Sequence, residues 1–130
     1  MEGKGYRSLT VWERAMELAE EVYRITDTMP DTERYGLISQ MQRSAISIAS
    51  NIAEGHGRSH TGDFLKHLSY AKGSLAELET QLTLAVRVHR LNREDALHAC
   101  DLSNEVGKML TTMIKNTPRT GKLPPLGPNS

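Results

Sequence analysis

The chain has 130 residues, enough for one domain with a buried core, and 38% apolar with 25% charged residues is an ordinary soluble composition. Sixteen basic residues balance sixteen acidic ones, which removes any bulk electrostatic attraction to nucleic acid or anionic membrane. With one cysteine, Cys100, the chain can form neither an internal disulfide nor a multi-cysteine metal site.

Residues 1–9 read as a mobile N-terminal arm, containing Gly and Lys. Thr10-Val11-Trp12-Glu13 has the pattern of a capping box, and a first helix is predicted over 10–28. Its apolar residues fan widely. Val11, Ala15, Leu18, Val22 and Ile25 make one edge, and Trp12, Met16, Ala19 and Tyr23 the other. That arc is wider than the ~100° stripe one-sided packing requires, so part of it is expected to meet another subunit. Residues 10–40 also hold seven acids against three bases, a net −4 balanced by +4 elsewhere. The plain reading is a solvated face; the sharper one is charge complementarity between subunits.

Pro30 breaks the pattern, and Asp31 or Thr32 can cap a second helix over 33–54. Met41, Ala45, Ile48 and Ile52 recur at helical spacing. Beside them runs a polar line of Gln40, Ser44, Ser47, Asn51 and Glu54. Gly55 and Gly57 are expected to stop this helix, because glycine accepts the left-handed conformation. Thr61 is placed to cap a third helix over 61–90, with Phe64, Leu68, Ala71, Leu75, Leu78, Leu82, Ala85 and Val86 on one stripe. Gly73 lies inside it and suggests close approach of a neighbouring helix. A second line, Tyr70, Glu77, Leu84 and Leu91 with Val88 alongside, has heptad spacing and suggests a further helix contact. Asn92 can cap a fourth helix over 93–116, with Ala96, Ala99, Val106, Leu110, Met113 and Ile114 facing inward. Pro118 ends it, and residues 118–130 read as a disordered Pro/Gly-containing tail.

Four helices with short connections over 10–117 imply an all-α, antiparallel up-down-up-down four-helix bundle. No apolar run approaches membrane-spanning length and no signal-peptide core is present, so a cytoplasmic location with no membrane partner is expected.

The words Ser47-Ile48, Asn51-Ile52-Ala53-Glu54-Gly55, Gly57-Arg58 and Gly73-Ser74-Leu75-Ala76-Glu77-Leu78-Glu79 resemble the 23S rRNA-intervening sequence protein family, also called the four-helix-bundle protein family. Leu9, Val11-Trp12, Ala15, Leu37, Gln40 and Arg43 fit the same pattern. The resemblance spans about Tyr6 to Asn116. It implies an antiparallel bundle assembled into a ring-like homopentamer, and no particular reaction. Some members are encoded within insertions of ribosomal RNA genes. A related branch, the accessory protein of diversity-generating retroelements, works with a reverse transcriptase and binds nucleic acid. That branch is markedly basic, whereas this chain is neutral.

Arg43, Asn51 and Glu54 on helix 2 are candidates to meet Ser74 and Glu77 on helix 3. Fixing helix register is the best-attested use of such a network. Arg58, Lys66 and Lys72 near the helix 2–helix 3 bend, helped by Lys115, Arg119 and Lys122, form a candidate nucleic-acid face. Trp12, Tyr23, Tyr70, Leu84 and Val88 form the candidate oligomer interface. His56, His60 and His67 with Glu54 and Asp63 lack the Glu-x-x-His and His-Glu-x-x-His patterns of metal sites and read as solvated histidines. Cys100 has no nucleophile signature and reads as a small core residue. Gly55-His56-Gly57-Arg58 lacks the Walker pattern of a phosphate loop. No catalytic residue, cofactor or metal is assigned. The reading is a non-enzymatic oligomeric scaffold or adaptor. The alternative is a weak, sequence-independent nucleic-acid-binding accessory protein.

Overall fold

The computed structural model describes residues 5–119 and 121. The first four residues of the expected arm, and residues 120 and 122–130 of the expected tail, lie outside the described residues. Four helices carry the fold: α1 Thr10–Thr26, α2 Ser39–His56, α3 Thr61–Arg87 and α4 Arg93–Asn116. No strand occurs among the described residues. α1 packs on α2 and α4, and α3 packs on α2 and α4, so α1 and α3 stand diagonally across the bundle. The expected all-α four-helix bundle is the fold observed.

The predicted stripes supply the core. Val11, Ala15, Leu18, Val22 and Ile25 of α1 are buried against Met41, Ala45, Ile48 and Ile52 of α2. Phe64, Leu68, Ala71, Leu75, Leu78, Leu82 and Ala85 line the inner face of α3, and Ala96, Ala99, Val106 and Leu110 that of α4, joined by Leu102, which the predicted stripe lacked; Met113 and Ile114 of that stripe are only partly buried. Glu21 is also buried, and the Arg24 guanidinium bonded to it holds its carboxyl below the ordinary range.

The helix ends differ from expectation for local reasons. Leu9, not Thr10, is the N-cap of α1, and no side-chain capping bond forms. Leu9 is 1% exposed; burying it in the core sets where the helix starts and displaces the Thr10–Glu13 box. The arm is correspondingly structured at Gly5–Ser8, a 3-10 turn whose Tyr6 carbonyl accepts the Leu9 amide at 3.0 Å. Residues 33–38 do not continue α2 backwards. Asp31–Glu33 is a 3-10 turn and Arg34–Ile38 a wide π turn, because Gly36 leaves helical geometry at φ −117°, ψ −108°. Asn92 takes the N-cap position of α4 as expected, but its side chain makes no capping bond.

The α2–α3 bend is also built differently. Gly57 is right-handed (φ −77°), so no left-handed glycine stops α2. Gly55 lies inside the helix for another reason. A Cβ there would come 2.8 Å from the Cβ of His67, so only glycine lets α3 approach so closely. Gly73, by contrast, faces open space and mediates no approach within the bundle. α3 stops at Arg87, short of residue 90. His89 takes the left-handed conformation (φ 61°), donating its amide to Val86 while Arg90 donates to Ala85. That reversal carries Leu91 into the core, so Leu91 drops out of the expected outer heptad line.

Candidate functional site

The α2–α3 seam holds part of the predicted polar network. Ser47 and Ser74 share a hydrogen bond between their hydroxyls at 2.7 Å. Asn51 donates its amide to the Ser47 carbonyl at 2.9 Å and to the Ser47 hydroxyl at 3.1 Å. These short, half-buried side chains face one another because the helices lie so close. Arg43 and Glu77 do not join them. Both are exposed and make no hydrogen bond or ion pair among the described residues. Their longer side chains reach water, where an ion pair contributes little. Glu54 turns towards the bend instead, accepting from Arg58 at 3.0 Å. The network is therefore two clusters, not one. The Glu54–Arg58 pair was readable from its i,i+4 spacing. The part of Ser47 was not, since only helix docking brings Ser74 to it.

His67 sits under Gly55 with 13% of its side chain exposed, 4.0 Å from Glu54. Its Nδ1 donates to the Asp63 carbonyl at 2.9 Å, and its ring meets the Tyr70 ring edge-on with centroids 5.6 Å apart. Burial pushes the half-buried His56 imidazole below its ordinary pKa. His60 is exposed. Among the described residues, no three His, Cys, Asp or Glu side chains gather as a metal site would require. One atom stands out: Oε1 of Gln81, two turns along α3 from Ser74, is buried without a hydrogen-bond partner among the described residues.

The three basic candidates do not share a face. Arg58 is held in a surface ion pair with Glu54 at 3.0 Å. Lys66 is exposed near the start of α3. Lys72, six residues on and so about 120° round the helix, donates to the Thr111 hydroxyl of α4 at 3.2 Å. The chain after α4 does return to this end of the bundle: the Gly121 carbonyl accepts from the Thr61 amide at 3.0 Å and the Thr61 hydroxyl at 3.2 Å. Thr61 is thus the first residue of α3, bonded to the tail, rather than its side-chain cap; His60 holds the N-cap position.

Of the interface candidates, Tyr23 (43%), Tyr70 (52%), Leu84 (47%) and Val88 (41%) are exposed. Trp12 is half-buried and packs edge-on against Tyr6, with centroids 5.2 Å apart. Cys100 lies on the surface rather than in the core. Partial desolvation, then Asp101 and Glu79, push its thiol pKa up, the opposite of what an activated nucleophile needs.

Fold and seam define a class: an antiparallel four-helix bundle with a polar α2–α3 seam and apolar side chains left on its outside. A solved structure from Bacteroides thetaiotaomicron, described as a protein with unknown function from the S23 ribosomal protein family, is similar. It superposes with a TM-score of 0.76 at 26% identity, over 82% of this chain and 100% of that one. Comparison with curated proteins finds no match. Residues 7–112 match the 23S rRNA-intervening sequence protein family, and the chain belongs to that family. Among the described residues, no helix is long and apolar enough to cross a membrane.

Proposed function

We propose that the protein is a non-enzymatic scaffold that works as a homo-oligomer, its subunits joined through the outer faces of α1 and α3. The supporting observation is the pair of apolar patches on these diagonally opposed helices. Tyr70, Leu84 and Val88 stand out from α3, and Tyr23 from α1 beside the partly covered Trp12, Met16 and Ala19. Exposed apolar surface of this kind marks contact sites. Two different patches on opposite sides suit head-to-tail contact, which closes into a ring when the rotation allows. The family resemblance sets the expected number at five. Gly73, open to solvent between Tyr70 and Glu77, leaves room for a neighbouring helix to approach closely. A cytoplasmic setting suits the lone surface thiol.

Nucleic-acid binding has less support as the main role. Arg58 is already paired, Lys72 faces the α3–α4 side, and helix 1 adds acid. The expected result is weak, sequence-independent binding of generic RNA or duplex DNA at low salt, lost at physiological salt. Each phosphate contact adds about −0.9 to the logarithmic salt slope on duplex DNA. Labelled RNA and duplex DNA, shifted with the wild type and with Arg58, Lys66 and Lys72 changed together to Ala, test the ranking. Tight binding that persists at physiological salt would reverse it.

A further inference from the structure

We propose that the groove between α3 and α4 is a binding site for a small phosphate monoester with an apolar body. A shallow groove of about 730 Å³, open to solvent, runs between the two helices. Leu75 and Ala76 of α3 with Gly107 of α4 form its floor. A Cβ at Gly107 would meet the Leu75 side chain at 3.3 Å, so the glycine keeps that floor clear.

Charge in the groove is uneven. At one end stand Lys72, Lys108, Thr111 and Thr112. Lys108, Thr111 and Thr112 lie at i, i+3 and i+4, on one face of α4. Lys72 reaches across from α3, and Thr111 already receives its ammonium at 3.2 Å. Five arginines of this chain, Arg14, Arg24, Arg34, Arg58 and Arg90, are ion-paired. Neither Lys72 nor Lys108 has a carboxylate partner among the described residues. The carboxylate in the groove, Glu79, is held instead by the Ser103 hydroxyl at 2.6 Å. So two lysines and two threonines line this end of the groove, with no carboxylate paired to either lysine among the described residues. A phosphate dianion, with three terminal oxygens, can engage more of these donors than a carboxylate can, and lysine binds it as a point charge.

Glu79 sets the other limit. It lies seven residues from Lys72, roughly 10 Å along the helix. A second anionic group at that distance would meet like charge, so the site favours one phosphate followed by an apolar body on the Leu75–Ala76–Gly107 floor. A nucleic-acid strand, with a charge on every residue, fits the same groove less well.

The test is a titration of the isotopically labelled full-length protein, followed by backbone amide shifts, with phenyl phosphate, inorganic phosphate and a short single-stranded oligonucleotide as probes. Phenyl phosphate should give saturable shifts confined to residues 72–79 and 103–112, and bind at least tenfold more tightly than inorganic phosphate. Lys72→Met with Lys108→Met should weaken it at least tenfold; both side chains are exposed, and an unchanged helical spectrum confirms the fold. Gly107→Ala should weaken phenyl phosphate while leaving inorganic phosphate little changed. Scattered or absent shifts, or shifts unaffected by the lysine changes, would overturn the site. An oligonucleotide that matched phenyl phosphate would overturn the monoester assignment in favour of a nucleic-acid backbone.

Discussion

His89 ends α3 in the left-handed conformation, with φ 61°. For an L-residue that conformation costs roughly 1–2 kcal/mol, and glycine avoids the penalty. His89→Gly should therefore stabilise the protein by about 1 kcal/mol, read as a higher midpoint in urea; a lower midpoint would mean the imidazole contributes more than the strain costs. Nothing in the local sequence marked this residue, because histidine is an unusual choice for a position where glycine is the common signal. His56 carries a pH dependence. Its folded pKa lies below the ordinary value of 6.5 because burial disfavours the cation. Above 6.5 both folded and unfolded forms are neutral and stability is complete. As pH falls through that value the unfolded chain takes up the proton first, and stability declines until the folded pKa is passed. His56→Gln should flatten this limb of the stability curve between pH 7 and 5. An unaltered limb would assign the decline to other groups.

At the scale of elements, apolar periodicity was enough to find all four helices and most of the core, though not Leu9, Met29, Ile38, Ala49, Leu91 or Leu102. A stripe such as Phe64, Leu68, Ala71, Leu75, Leu78 and Leu82 leaves a helix only one way to bury itself. The helix ends were less legible, because there several weak signals compete with packing. Thr10 lost the cap to a buried Leu9, and Gly36 interrupted a run that reads as continuous helix. The glycines were the hardest to read. Gly55 resembled a stop signal, yet its role depends on His67 of the opposite helix, invisible before docking. This gives a sharp expectation. In an isolated helix Gly→Ala gains up to about 1 kcal/mol, whereas crowding a packed contact costs about 1–3 kcal/mol. Gly55→Ala should be destabilising overall, while Gly73→Ala, in open space, should stabilise the subunit. Equal effects of the two changes on thermal midpoint would show that α2 and α3 are not so closely joined. The polar seam was half legible for the same reason: Asn51, Glu54 and Ser74 were found, but which of them meet depends on helix register.

For the whole molecule, the chain is neutral, its basic candidates are divided between faces, and among its exposed apolar side chains Tyr23 and the Tyr70, Leu84 and Val88 group lie on opposed sides of the bundle, while Tyr35, Ile46 and Leu97 stand elsewhere on the surface. Those facts favour self-association over polyanion binding. Tyr70, Leu84 and Val88 were legible as a second stripe because heptad spacing survives on an outer face. Which surface of a second copy they meet is not written in one chain's periodicity, since partner geometry adds no local signal. Introducing charge at the centre of an apolar contact is expected to break it, as burying an unpaired carboxylate is expensive. Leu84→Glu with Val88→Glu alters exposed positions in the last turn of α3 and at its C-cap, so the four-helix fold should persist. The measurement that bears most directly on the scaffold reading is solution mass by light scattering at micromolar concentration, for the wild type and this double variant. A discrete multiple of the 14.5 kDa chain, five by family resemblance, is expected for the wild type and a helical monomer for the variant. A wild-type mass of 14.5 kDa would contradict it.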